Sequence, residues 1–309
     1  MNSLMVPPLT GDELKRSIIE FVRGASTEIS THDEELLPAI ANKLPAGTTL
    51  YVAHPPKASL EDVIRVALKV EAAGLRACAH IVARRLESER ALKNALRELR
   101  EGGVEQVLLV GGDPERPIGS LTGTLDVLNT GYLTEAGFKR IGVAGHPEGH
   151  KAIGPTVLWQ SLRHKQDYAE RTGIKAHIVS QFGFNPAAVC TWDQHLGEHG
   201  IKLPVHVGIA GPTSLPKLIR FAMQCGVGAS LHALMKNMSA MSNPTRLAIS
   251  PDEMVVSIIQ GRSAYSGTHI VQPHFYSFGG AVATARWLAA VSDGNFELSP
   301  GGGKFVMNS

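Results

Sequence analysis

The stretch EQVLLVGGD, residues 105–113, decides how the rest of the chain is read. Val107, Leu108, Leu109 and Val110 form an unbroken apolar run, as expected of a strand buried on both faces of a parallel sheet. Gly111 and Gly112 follow, so the chain leaves the strand through a loop that lets backbone approach a ligand closely. Asp113 comes next. In α/β proteins the carboxyl edge of the strands is where substrate is met, so a carboxylate at this point is a candidate for chemistry. A lone glycine pair followed by Asp is also an ordinary turn, and the weight comes from the same grammar recurring along the chain.

Outward from this segment, short apolar runs alternate with helical periodicity. Strands are expected at residues 25–30, 49–54, 76–82, 140–146, 176–182, 204–210 and 272–278, in addition to the quoted one. Helices are expected at 34–43, 59–73, 88–101, 122–136, 156–172, 187–199, 215–225 and 281–290, and helical material within 230–261. Residues 11–23, with Leu14, Ile18, Ile19 and Val22 on one face, read as a lead-in helix. Eight strand-helix units in this length point to a (β/α)₈ barrel more than to a doubly wound sheet. The organisation expected is a lead-in segment (1–24), one barrel domain (25–295) with an extra helical segment before the last strand, and a flexible tail (296–309), since SPGGGKFVMNS looks weakly ordered.

Composition narrows the function class. Of 309 residues, 43% are apolar and 19% charged, and the formal charge is +2. Near neutrality with dispersed basic residues gives no footprint for nucleic acid or an anionic membrane. The first residues carry early acids and no long apolar core, so neither a secretory signal nor a transit peptide fits, and no apolar run reaches the roughly 18 residues a membrane span needs. Cys78, Cys190 and Cys225 have unrelated spacings and form neither a disulfide framework nor a zinc site; a cytoplasmic protein with reduced thiols is expected.

The expected strand ends are rich in polar groups: Glu28, His54, His80, Asp113, His146 with Glu148 and His150, Gln181, and His274 with Tyr276. A histidine on a strand is more often a satisfied rim residue than a catalyst. Their concentration on one rim makes this the candidate site. His146 and His150 have metal-compatible spacing only on a helix, and the intervening PEG argues for a loop, so no metal is expected.

At these residues the chain resembles the 5,10-methylenetetrahydrofolate reductases. TEIS (27–30) looks like the segment holding that family's catalytic glutamate, and AHI (79–81) like its APHL motif. VGGDP (110–114) resembles RGDP, HPEGH (146–150) resembles YPEGH, SQFGFN (180–185) resembles TQFFF, and HFYSF (274–278) resembles the first half of HFYTLN. Six segments in the same order are fairly specific. The resemblance implies a flavoenzyme of one-carbon metabolism feeding methionine biosynthesis: NADH or NADPH reduces FAD, and hydride passes to the methylene carbon of a folate substrate. It also implies a homo-oligomer. Glu28 becomes the acid that opens the folate ring, Asp113 a stabiliser of the cationic iminium that contacts both ligands, and Gln181 and Tyr276 folate contacts. The same carry-over gives the flavin His54, His80, Gly111, Gly112 and Asp113 from the first strands. From the later half it gives His146, His150, Ser161, His164 and Lys165, the last near the pyrophosphate.

The departures are specific. Gly111 stands where the family has arginine, His146 where it has tyrosine, and Leu158 and Ser161 where it tends to place Asp and Asn. Gly279 and Gly280 replace an Asn-Arg pair, removing a cation for the folate's glutamate tail; Arg246 or Arg262 is a possible substitute. Two alternatives therefore stand beside the flavin reductase. One is a flavin-free folate-using barrel, by direct hydride transfer or methyl transfer, and the other a non-catalytic folate-binding subunit.

Overall fold

The computed structural model describes residues 7–112, 116–225 and 248–308. Eight parallel strands close into a barrel: β1 (Ser26–Ser30), β2 (Thr49–Ala53), β3 (Arg76–Val82), β4 (Gln106–Val110), β5 (Arg140–Gly145), β6 (Lys175–Ser180), β7 (Val205–Ala210) and β8 (Ile270–Tyr276). Each pairs with its neighbours in sequence, and β8 pairs back to β1 through Ser26↔His274 and Thr27↔Phe275. The (β/α)₈ expectation is met, with the quoted apolar run as β4.

Strand alternation sorts side chains into two populations. Ile29, Val52, Ile81, Leu109, Val143 and Ile178 face the helices and join one continuous apolar cluster with helix residues such as Ile18, Val63, Leu96 and Val255. The alternate set, linked laterally by register, faces the barrel interior: Glu28↔Tyr51, Tyr51↔Cys78, Leu108↔Gly142, Gly142↔His177 and Gly208↔His274.

Helix boundaries follow local chemistry. The helix Leu60–Ala72 starts where Ser59 accepts from the Asp62 N–H at 3.1 Å and the Asp62 carboxylate accepts from the Ser59 N–H at 3.0 Å. The helix expected at 122–136 is instead two short ones, Thr124–Asn129 and Tyr132–Glu135. Gly131 between them has φ 74°, a left-handed conformation that interrupts the ladder. The helix expected at 34–43 begins as a 3₁₀ turn, Thr31–Leu36, before the helix Leu37–Ala41. The last barrel strand lies two residues earlier than expected, because Phe278 takes a positive φ of 47° and the chain has left the sheet by then. Of the helical segment expected within 230–261, residues 252–261 belong to the helix Asp252–Ser263, while 230–247 lie outside the described residues.

The lead-in helix Gly11–Arg23 buries Leu14, Ile18, Phe21 and Val22 at the amino-terminal end of the barrel. The stretch read as a flexible tail is corrected: Phe296–Leu298 pairs antiparallel with Phe305–Met307. Phe305 is 1% exposed, packs tilted against Phe296 at 4.5 Å and reaches Trp287 at 5.9 Å. Glycine-rich composition hid this because the two apolar anchors flank the glycines rather than lie among them. Among the described residues no helix is long and apolar enough to cross a membrane.

Candidate active site

Because all eight strands run the same way, their carboxyl ends share one rim, the mouth. Glu28 enters it from the interior face of β1, His80 from β3, and His274 and Tyr276 from β8. His54, Gly111, His146 and Gln181 are at the first residues beyond β2, β4, β5 and β6. Asp113 and Arg246 lie outside the described residues. Arg262 lies at the opposite end, its guanidinium 5.0 Å over the Phe21 ring of the lead-in helix, so it is not the missing cation of the mouth.

Glu28 has only 15% of its side chain exposed, and its carboxyl is pushed up to about 8, chiefly by burial and secondly by the Asp33 carboxylate. Asp33 is held by the N–H and hydroxyl of Ser30, at 2.9 and 2.8 Å. Tyr51, fully buried, stands among these groups, its ring 4.5 Å from that of His274 and 6.0 Å from that of His80. The His274 and Tyr276 rings meet edge to face at 4.8 Å, and the Tyr276 hydroxyl donates to the Ser180 carbonyl at 3.0 Å, next to Gln181. The Gln181 N–H donates to the Gly145 carbonyl at 2.8 Å, tying the β5 and β6 exits together.

The other side of the mouth is cationic and histidine-rich. Gly149 closes a turn onto the His146 carbonyl, which brings the His146 and His150 rings to 5.2 Å. Burial, with His150 and Lys165 nearby, pushes His146 down to about 4, so it is neutral at physiological pH. Lys165 projects from the inner face of the helix Pro155–Thr172, is 6% exposed, and is pushed down to about 8 by burial. No carboxylate pairs with it among the described residues. Ser161, one turn earlier, is half-buried, and His164 is exposed.

Several polar atoms here are buried without partners. His54 donates through Nε2 to the Ala58 carbonyl at 3.0 Å, leaving Nδ1 unpaired, and His80 Nε2 is also unpaired. Over Gly111 a side chain would meet nothing within 4 Å, and Gly112 has φ 96°. Both Glu148 carboxylate oxygens are buried without partners as well, so a ligand here would meet one ammonium, one carboxylate, unpaired imidazole nitrogens and open space over a glycine. Among the described residues no cluster of three or more His, Cys, Asp or Glu has a metal-binding arrangement.

Reading along the sequence missed the interior wall beneath the rim. The Tyr51 hydroxyl hydrogen-bonds with His177 Nε2 at 2.8 Å, and the His177 ring stacks on His206 at 4.1 Å. Each hides in an apolar run (TLYVA, KAHIVS, VHVGIA), and only its parity with Glu28 across the register reveals it. Arg84 and Arg85, at the β3 exit, were also missed; Arg84 N–H donates to the Gly111 carbonyl at 3.0 Å, and the Arg85 guanidinium donates to the His54 carbonyl.

A profile described as Methylenetetrahydrofolate reductase matches residues 58–289 of the chain. Among solved structures the chain is similar to the dihydropteroate synthase (FolP) of Thermus thermophilus, at 12% identity and a TM-score of 0.44, covering 87% of this chain and 92% of that one. It is similar also to a putative phosphonomutase from Burkholderia cenocepacia, at 11% identity and a TM-score of 0.48, covering 91% and 99%.

Proposed function

The chain belongs to the methylenetetrahydrofolate reductase family, and on that premise we propose that it interconverts 5,10-methylenetetrahydrofolate and 5-methyltetrahydrofolate, using FAD and NADH or NADPH, as a cytoplasmic homo-oligomer. Membership supports a folate-related reductase function. The finer reading is supported by one observation, the burial of the Glu28 carboxyl inside the mouth beside the Asp33 carboxylate, which raises it to about 8.

Opening the five-membered ring of the substrate requires protonation of a ring nitrogen, which leaves an iminium whose carbon accepts hydride. A carboxyl with an ordinary pKa is almost entirely ionised at pH 7, whereas one near 8 is mostly protonated and can act as the acid. Gln181 offers both a donor and an acceptor to the amide edge of the pterin. The Tyr276 hydroxyl is committed to Ser180, so the face of its ring is what it offers the substrate. Asp113 keeps the role the resemblance implies, a negative charge beside the developing cation.

Bound FAD would supply the hydride. Lys165 would offset the pyrophosphate, His146 and His150 would line the same side, and His54 and His80 would give their unpaired nitrogens to the ring system. Gly111 leaves room for it at the β4 exit.

A second reading, direct hydride transfer from the nicotinamide without flavin, is favoured by the apolar entrance to the helix Pro155–Thr172. There Ile153 and Val157 are exposed, and the half-buried Leu158 stands where the family tends to place a polar flavin contact. The absorbance spectrum of the purified protein, followed by oxidation of NADH and NADPH with and without methylenetetrahydrofolate, tests both. Oxidised-flavin bands and folate-dependent oxidation are expected. A colourless protein with the same folate-dependent activity moves the conclusion to the second reading, and no folate-dependent oxidation rejects both.

A further inference from the structure

His274 is a buried group beside Glu28 that the proposed reaction leaves unused. It is 1% exposed on the interior face of β8, in register with Ser26 across the seam that closes the barrel. Its Nδ1 lies 2.9 Å from the Ser26 hydroxyl oxygen. Its Nε2 is buried, has no hydrogen-bond partner, and sits 4.0 Å from Glu28 Oε2. The Tyr51 and Tyr276 rings pack against it at 4.5 and 4.8 Å, which holds the imidazole in this orientation.

The tautomer follows from hydrogen-bond accounting. Burial, with His80 and His206 nearby, holds His274 far below its ordinary range, so the ring is neutral and has a single N–H. The fully buried Ser26 hydroxyl hydrogen-bonds only with Nδ1 among the described residues. Leaving its proton unpaired would carry a desolvation penalty, so the hydroxyl donates to Nδ1 and the imidazole proton resides on Nε2, facing the carboxyl.

We propose that His274 is the positioning residue of the acid: Ser26 fixes its Nε2–H tautomer, and that N–H stabilises the Glu28 carboxylate left when the proton has moved to the substrate. The proposal rests on Glu28 being the acid. In each cycle Glu28 loses one proton to the folate nitrogen and regains one from water at the mouth, while His274 keeps its own. A neutral donor suits this task, since a cation in its place would pull the carboxyl down into the ionised range.

The other groups facing Glu28 are Asp33 from the following turn, Tyr51 from β2, Cys78 and His80 from β3, and Tyr276 from β8. Burial keeps Tyr51 and Cys78 protonated and pushes His80 down to about 3, so these three hold one charge state between pH 5 and pH 9. Asp33 acts on Glu28 as a carboxylate.

Carbon-13 NMR titration of the Glu28 carboxyl, assigned by its absence in Glu28→Gln, reads the effect without substrate or cofactor. His274→Asn keeps a partner for Ser26 but presents nothing at the Nε2 position; it should raise the Glu28 midpoint by about one pH unit, a tenfold change in the acid constant. His274→Gln, which returns an amide donor near Nε2, should restore the midpoint to within a few tenths, and Ser26→Ala should shift it upward by less than His274→Asn. An unchanged midpoint in His274→Asn, or equal shifts in the Asn and Gln variants, overturns the proposal. If His274→Asn does not fold, an unchanged midpoint in Ser26→Ala does the same. Failure of the folate reading is seen separately, as full folate turnover by Glu28→Gln.

Discussion

On β1, Glu28 and Ile29 are adjacent in sequence and belong to opposite sides of one wall. Ile29 shares an apolar cluster with Val52, Ile40 and Val63, and nothing polar is asked of it. Glu28 faces an interior that also holds Tyr51, His80, His177, His206 and His274. The interior of a barrel of this kind is commonly packed with branched apolar side chains. Here, among the described residues, a small apolar patch with Leu108 and Val179 lies beside Tyr51 and Cys78. The shell therefore supplies the stability that holds strands in register, and the interior spends some of it to keep protonatable groups dry.

The largest effect expected on the interior side is from Glu28→Gln. Turnover of methylenetetrahydrofolate should fall by roughly 10²–10⁴, the usual scale for losing a general acid, while flavin reduction by nicotinamide stays near the parent rate. Stopped-flow measurement of each half-reaction reads both, and near-parent folate turnover would place the acid elsewhere. In the parent the folate step should weaken as pH rises through about 8, because the acid must hold its proton.

On the shell side, Leu109→Ala should destabilise the fold by about 2–5 kcal/mol, by analogy with other deletions at fully buried sites. Urea unfolding at pH 6 and pH 8 should return the same loss at both, since no titrating group is removed; a pH-dependent loss would blur the division between the two populations.

Lys165→Met crosses that division from the other direction. The folded ammonium titrates near 8 against an unfolded value of 10.5, so the folded state binds fewer protons between those limits and parent stability falls as pH drops through that window. Below pH 8 the full penalty applies, up to about 3 kcal/mol at roughly 1.4 kcal/mol per unit. The variant should therefore be more stable than the parent at pH 7, with the advantage vanishing above pH 10.5, and should bind FAD more weakly by equilibrium titration. A less stable variant would mean that Lys165 has a partner in the fold.

The smallest effect is expected from Tyr51→Phe, which leaves His177 Nε2 unpaired inside the barrel. A loss of about 1–2 kcal/mol in urea unfolding fits the removal of one buried hydrogen-bond partner. A stabilised variant would show that the interior tolerates apolar filling and that its polarity has another cause.

The same alternation explains what could be read in advance. Apolar runs such as VLLV and ACAHIV announce strands whatever the face, so the eight-stranded barrel was legible, as were rim residues standing just past a run: His54, Gly111, His146 and Gln181. Tyr51, His177 and His206 were not, since each is one polar residue inside an apolar run, and its inward direction is known only once register links it to Glu28. Arg84 and Arg85 escaped for a different reason. The family's arginine falls at Gly111, just past β4, and a replacement cation was sought in the segment before the last strand, whereas Arg84 and Arg85 follow β3, where the Arg84 N–H donates to the Gly111 carbonyl. The tail was misread because three consecutive glycines outweighed two phenylalanines.

The seam between β1 and β8 carries a consequence for how the site comes into being during synthesis. Ser26 and His274 are 248 positions apart, and their pairing closes the barrel at the same moment that it sets the imidazole against Glu28. A contact of such long sequence separation forms late. A nascent chain that has threaded seven strands out of the ribosome thus holds the glutamate but not its companion, and the acid matures only with the arrival of the last strand.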